Sequence, residues 1–257
     1  MSLPRKQYTA IGPTSYAQNI QSSVVTPNTG DALRIGSYRL ANRSGSALDV
    51  GLFWRQPNGY FTAGKVVAAS TPDYTDNTAN AKSTTANAFV NIFSTTNNDG
   101  FLVSSPVKFN AISFTVGAGS SGETIAPTYY DGTNMTVLPT IQNAITTSAG
   151  HRYIVFNSPS DWVVNTTTAV GGPANVYSIC IRASTAPGAA VSGSDFRVYS
   201  MIDMYPQLAS NAEITNDFSG NEFVLPKGAS VVPFFGNTAS NANSVWVAYR
   251  AVSFSNS

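Results

Sequence analysis

The 257-residue sequence predicts an all-β fold, a β-sandwich or jelly roll, read here as two sandwiches with the second inserted into the first and an extended arm ahead of both. Three observations carry this. Apolar residues alternate with a period of two in several short runs, Gly, Pro, Asn and Asp punctuate the chain between them, and no stretch keeps helical periodicity beyond two or three turns. Only 11% of residues are charged, against roughly 25% in an ordinary soluble domain. Ser, Thr, Asn and Gly must therefore cover the surface, and these suit turns and strands better than helix interiors.

Residues 1–30 carry Pro4, Pro13 and Pro27 among few large apolar side chains, the composition of an extended arm that needs a partner to order it. Arg5, Lys6, Tyr8 and Tyr16 are its candidate partner-binding residues. RIGSYRLANRSGSALDVGLFW then reads as strand, polar turn and strand. In ALDVGLFWR, Leu48, Val50, Leu52 and Trp54 fall on one face and Ala47, Asp49, Gly51 and Phe53 on the other. AISFTVG and VYSICIR alternate in the same way. All three are expected to be half-buried, with one face packed and the other solvated or covered by a partner. The stretch 74–88 reads as a long loop with one turn of helix. Near the other end, EFVLPKGASVVPFF and SVWVAYRAVSF form a second strand pair with Pro226-Lys-Gly228 at the corner. Residues 31–86 and 196–257 are thus expected to form a discontinuous outer sandwich, and 87–195 an inserted one.

PTYYDGTNMTVLP, residues 127–139, poses the main functional question. Asp131-Gly132 is hairpin-turn chemistry with Tyr129, Tyr130, Met135 and Val137 as flanking strand residues. An active-site loop is the competing reading. SPSDWVV, a little later, reads as a turn set by Pro159, with the Asp161 carboxylate accepting a local N–H and Trp162 packing beneath as an apolar plug. Its rival is a carbohydrate platform, in which exposed rings of Tyr60, Tyr74, Tyr129, Tyr130 and Trp162 stack on a sugar while Asp131 and neighbouring amides bond its hydroxyls. Tyr129, Tyr130, Asp131 and Trp162 are the candidate glycan or partner contacts.

Other chemistry finds little material. His151 is the sole histidine and no G-x-S-x-G elbow accompanies it, while Cys180 alternates within a strand. One cysteine permits no intrachain disulfide and no Cys-rich zinc site. Asp73 and Asp76 in PDYTDNT invite a weak Ca²⁺ site, but an Asx-type loop explains them and the rest of an EF-hand loop is missing. No catalytic residue, metal or cofactor is expected. A net charge of +1 supplies no field for nucleic acid or an anionic membrane. No apolar run reaches the ~20 residues of a membrane helix and no signal peptide is seen, so synthesis in the cytoplasm is expected.

Four segments of the middle region, DGFLVSSPVKFNAISFTV, APTYYDGTNMTVLP, HRYIVFNSPSDWVV and YSICIRAST, resemble a recurrent β-sandwich module of bacteriophage virion proteins. That module runs F-x-x-I-x-F, YY-x-G-x-x-W-x-x-L, F-x-x-P-x-DW and a closing Y-x-I-R strand. The outer pieces LANRSGSALDVGLFW and FVLPKGASVVPFF are similar to a second phage structural pattern with an N-x-SGSA turn and an L-P-x-G corner. Met135 stands where the module has tryptophan, and the closing strand reads Tyr177-Ser-Ile-Cys. The resemblance implies a non-enzymatic structural protein of a tailed-phage virion: a capsid decoration or cement protein or a minor capsid protein, homo-oligomeric in the particle and bound to the major capsid protein or other virion subunits. The alternative it implies is a tail, neck or fibre component that binds a surface glycan.

Overall fold

The computed structural model describes residues 6–10, 31–67, 73–117, 119–166, 171–218, 223–236 and 245–255. Among them are eighteen strands and one five-residue helix, with antiparallel pairings in every sheet, so the chain is all-β. It divides into two compact units, one made of Met1–Pro57 and Tyr199–Ser257, the other of Asn58–Val198. The entry boundary falls earlier than the expected 86/87. Strand β4 (Thr62–Val67) pairs with β7 (Gly100–Ser105), which draws residues 58–86 into the inserted unit.

The larger unit is a sandwich. One sheet has the order β10 (Met135–Val137), β9 (Thr124–Tyr130), β13 (Tyr177–Thr185), β7, β4 and β5 (Asp73–Asp76). The other runs β11 (Thr140–Asn143), β12 (Gly150–Phe156), β8 (Ala111–Val116) and the first part of β14 (Val191–Leu208), with β6 (Phe89–Phe93) also on β14. Phe101, Val103, Ile179 and Ile181 from the first sheet share one core with Ile112, Phe114, Ile154, Phe156 and Phe196 from the second. The rings are stacked and edge-on. Phe114 lies 4.9 Å from Phe196, and Phe101 lies 5.2 Å from each of them. The expected helical turn is α1 (Thr78–Lys82), and it begins where the Asp76 carboxylate accepts the Thr78 N–H at 2.9 Å and its hydroxyl at 2.6 Å.

The smaller unit has a sheet ordered β1 (Lys6–Ala10), β18 (Val245–Ser255), β2 (Asp31–Asn42), β15 (Glu213–Asp217), with β16 (Phe223–Leu225) also on β2. Its remaining strands are Tyr199–Leu208 of β14, β3 (Leu48–Arg55) and β17 (Ser230–Gly236). Ile35, Tyr38 and Leu40 of β2 pack with Val50 and Leu52 of β3 and Val231 of β17.

Two expectations are corrected. The three alternating strands are not half-exposed: β3 is buried at Leu48 through Phe53, β8 at five of six positions, and β13 at Ser178 through Ile181. In the larger unit the outer face of the six-stranded sheet has an apolar layer of its own, Val66, Leu102, Tyr130 and Cys180 with Tyr74 and Met135 packed against it. The second correction concerns the arm. Arg5 and Tyr16 lie outside the described residues, but Lys6–Ala10 forms a strand that finds its backbone partners on β18 of the same chain, in the register Lys6↔Ser253 to Ala10↔Tyr249.

Candidate functional site

The hairpin joining β9 and β10 is built by its own side chains. Met135 lies opposite Tyr130 and Val137 opposite Thr128. Asp131 directs the turn: its Oδ1 accepts the N–H of Thr133 at 2.8 Å and of Asn134 at 2.7 Å, and its Oδ2 accepts the Thr136 hydroxyl at 2.7 Å. Gly132 takes φ +102°, where a Cβ is strained. The backbone hydrogen bond from Asn134, followed by the Thr136 hydroxyl and the Thr133 N–H, holds the Asp131 carboxyl below its ordinary range. A carboxylate saturated in this way makes the turn. It has little left with which to bind a sugar hydroxyl.

The tyrosines and the tryptophan are buried rather than presented. Tyr129 is 5% exposed, Tyr130 6% and Trp162 1%. The Tyr129 hydroxyl donates to Asp161 Oδ1 at 3.0 Å, and the Tyr130 hydroxyl donates to the Gly132 carbonyl at 2.7 Å. Trp162 sits edge-on to Phe109 at 5.1 Å and to Tyr177 at 5.5 Å, the plug expected beneath the Pro159 turn, but Asp161, expected to accept a local N–H, accepts the Tyr129 hydroxyl from 32 residues away instead. Burial of these three rings corrects their reading as glycan contacts, because a sugar stacks only on an exposed ring face. The fold splits the set further: Tyr129 and Trp162 belong to the main core, Tyr130 and Tyr74 to the outer apolar layer, and Tyr60 is 36% exposed. Burial pushes the Tyr74 phenol up to about 12, with the Asp76 charge adding to it.

A polar layer lies over the same sheet. Ser104 and Ser178 share a hydrogen bond at 2.5 Å, and the Asn165 amide donates to Ser178 Oγ and, at 3.3 Å, to the Pro173 carbonyl. All three residues are buried. The Asn165 N–H also bonds the Val176 carbonyl at 2.7 Å, so this stretch of chain is tied down over β13. Gly172 allows the approach, since a Cβ there would collide with Leu102 Cδ2.

His151 opens β12 with its ring 6.3 Å from that of Tyr153, and burial lowers its pKa, with Asp195 acting the other way. Cys180 is buried within β13 and burial raises its thiol pKa. Asp76 is committed to α1, and among the described residues no group of three His, Cys, Asp or Glu side chains could hold a metal.

The densest cluster of titratable groups is one that sequence reading missed. Asp203 Oδ2 accepts the hydroxyls of Tyr38 and, at 2.6 Å, of Tyr205, together with the Asn216 amide at 3.2 Å, while Oδ1 accepts the Met204 N–H at 2.9 Å. Burial opposes the charged form of Asp203, and the hydrogen bonds from Tyr205 and Tyr38 outweigh it, leaving the carboxyl below its usual range. Burial, then the bond to Asp203, raises both phenols. The signal in the sequence was an aspartate between Ile202 and Met204 inside a long strand, a position where Asp is depleted. Comparison with protein-family models, with curated proteins and with solved structures gives no match in any of the three.

Proposed function

We propose that the chain is a non-enzymatic structural protein of a tailed-phage virion, a capsid decoration or cement protein or a minor capsid protein that works through interfaces with other subunits. The observation that carries this reading is where the resembling segments fall. All four lie in the larger unit as β7–β8, β9–β10, β12 with its following turn, and β13, and Phe101, Phe109, Phe114, Tyr129, Phe156, Trp162 and Ile181 within them meet in one core. Residues that look like a motif are thus used as a scaffold. A surface rich in hydroxyls and amides and poor in charge suits the role, since it can bury area against neighbours with few charges to desolvate.

The glycan-binding alternative loses its platform with the burial of Tyr129, Tyr130 and Trp162. Cryo-electron microscopy of purified particles carrying a tagged copy of the chain tests the reading. Tag density distributed over the shell is the expected result. Density confined to a tail tip would return the attachment role, and particles that never carry the chain would remove the virion reading.

A further inference from the structure

We infer that β1 is an exchangeable strand: the edge of β18 accepts Lys6–Ala10 from a second copy of this chain as well as from its own. Three observations lead there. First, β1 stands at the end of its sheet in the order β1-β18-β2, so β18 is its neighbour in the sheet. Second, residues 11–30 join Ala10 to Asp31, twenty residues. Ala10 lies opposite Tyr249 and Asp31 opposite Ser255, so the ends to be joined are about 10 Å apart across β18 and about 20 Å apart along it, roughly 22 Å in all, whereas twenty residues extend to roughly 65 Å. A connection that long does not dictate which copy of β18 its strand will meet. Third, β18 is eleven residues, VWVAYRAVSFS, with one charge. Left open, such a run of aromatic and β-branched residues is the kind of edge that pairs with other chains.

Exchange keeps the same five register pairs, so the closed and exchanged forms differ in association entropy and in the path of the connection, not in strand pairing. A covalent tether of about twenty residues sets an effective concentration on the order of millimolar for its own strand. Exchange therefore competes when copies are concentrated or held side by side. The inference concerns the purified chain and does not depend on the virion reading.

Two full-length single variants, Tyr8→Cys and Ala251→Cys, would be mixed at micromolar and at near-millimolar concentration and oxidised, with any bridge located by peptide mapping. Tyr8 and Ala251 are register partners, as are Gln7 and Val252, and neighbouring antiparallel pairs alternate between the two Cα spacings, both within disulfide range. Both pairs would be used. The native Cys180 thiol is buried and does not compete. The expected result is a bridge between position 8 of one copy and position 251 of the other, or between 7 and 252, whose share rises with concentration. The double variants, which can close within one copy, are the control. Double variants that close only within a monomer, beside a mixture that gives no bridge at any concentration, would overturn the inference. Failure of every pair to bridge would overturn it too, by removing the β1–β18 pairing beneath it.

Discussion

The larger unit packs Phe101, Phe114, Phe196, Phe156 and Trp162 into one core and lays the Ser104–Ser178–Asn165 cluster over a sheet, whereas the smaller unit draws a carboxylate and two phenols together beside its core. Ring packing is indifferent to protons. A hydrogen-bonded carboxylate is not, because its partners stabilise one protonation state. The larger unit should therefore be the more sensitive to lost core volume and the smaller the more sensitive to loss of one carboxylate, although the Asp131 carboxyl gives the larger unit an acid dependence of its own.

Phe101→Ala should have the largest effect. Phe101 meets Phe93 at 5.5 Å and Phe114 and Phe196 at 5.2 Å, so truncation opens a cavity that its neighbours cannot fill without moving several rings. The cost expected for such a site is about 3–5 kcal/mol. Urea unfolding would be followed by Trp162 fluorescence in a Trp54→Phe/Trp246→Phe background, and by Trp54 in the complementary one. A large fall for Trp162 alone is expected. Equal falls for both reporters would mean that the chain unfolds as one body, and the contrast between the units would be lost.

Ser178→Ala comes next and probes the polar layer of the larger unit. It removes the oxygen that Ser104 and the Asn165 amide both use, leaving that amide only its longer bond to the Pro173 carbonyl, at an expected cost of about 2–3 kcal/mol. Hydrogen exchange at the Asn165 N–H, which bonds the Val176 carbonyl, should quicken along with it. Unchanged protection there would show that Ser178 does not anchor this stretch of chain.

These residues also show what could be read in advance and what could not. The Asp131-Gly132 turn and the Pro159 turn that leads into Trp162 were legible because their chemistry is local: Asp131 bonds N–H groups two and three residues ahead, and the Trp162 N–H bonds the Pro159 carbonyl, whereas the Tyr129 partner of Asp161 was not legible. The alternation in VYSICIR marks a strand but not the burial of both its faces. Ser178 and Cys180 look like solvent-facing letters, and nothing nearby in the chain announces that Asn165 and Gly172 will cover them. The Asp203 cluster was least legible of all. Its partner Tyr38 lies 165 residues away, and pairing at that separation exists only once both sheets of the smaller unit have formed.

Asp203→Asn tests the other half of the contrast. It converts charge-assisted bonds from two hydroxyls into neutral ones, and for a group only partly withdrawn from solvent the expected loss is about 1–2 kcal/mol. The pH dependence is the sharper readout. The folded carboxyl titrates below its unfolded value of about 4, so its contribution is fully present above that value and fades as pH falls through the window beneath it. Tyr38 and Tyr205 are raised above the ordinary phenol value of about 10, so their contribution is present below that and fades in alkali. Melting measured from pH 2 to 7 should show a Trp54-reported acid slope that is reduced in Asp203→Asn. An identical slope in the variant would place the acid sensitivity elsewhere.

Gly132→Ala should have the smallest effect, and it isolates backbone conformation from packing. The nearest atom to an added Cβ is Val163 Cγ2 at 3.4 Å, an ordinary contact, so space is not the obstacle. The obstacle is φ +102°, which an L-residue adopts only with strain, for a cost of about 1 kcal/mol. That corresponds to a fall in Tm of roughly 2–4 °C for a unit of this size. The effect should appear only in the Trp162 transition, leave the β-sheet circular dichroism intact, and add to that of Phe101→Ala, since a turn residue and a core ring with no shared partner act independently. A Tm unchanged by the substitution would mean that the hydrogen bonds of Asp131, rather than the glycine, set the turn. The aspartate would then be the residue that makes this hairpin a scaffold.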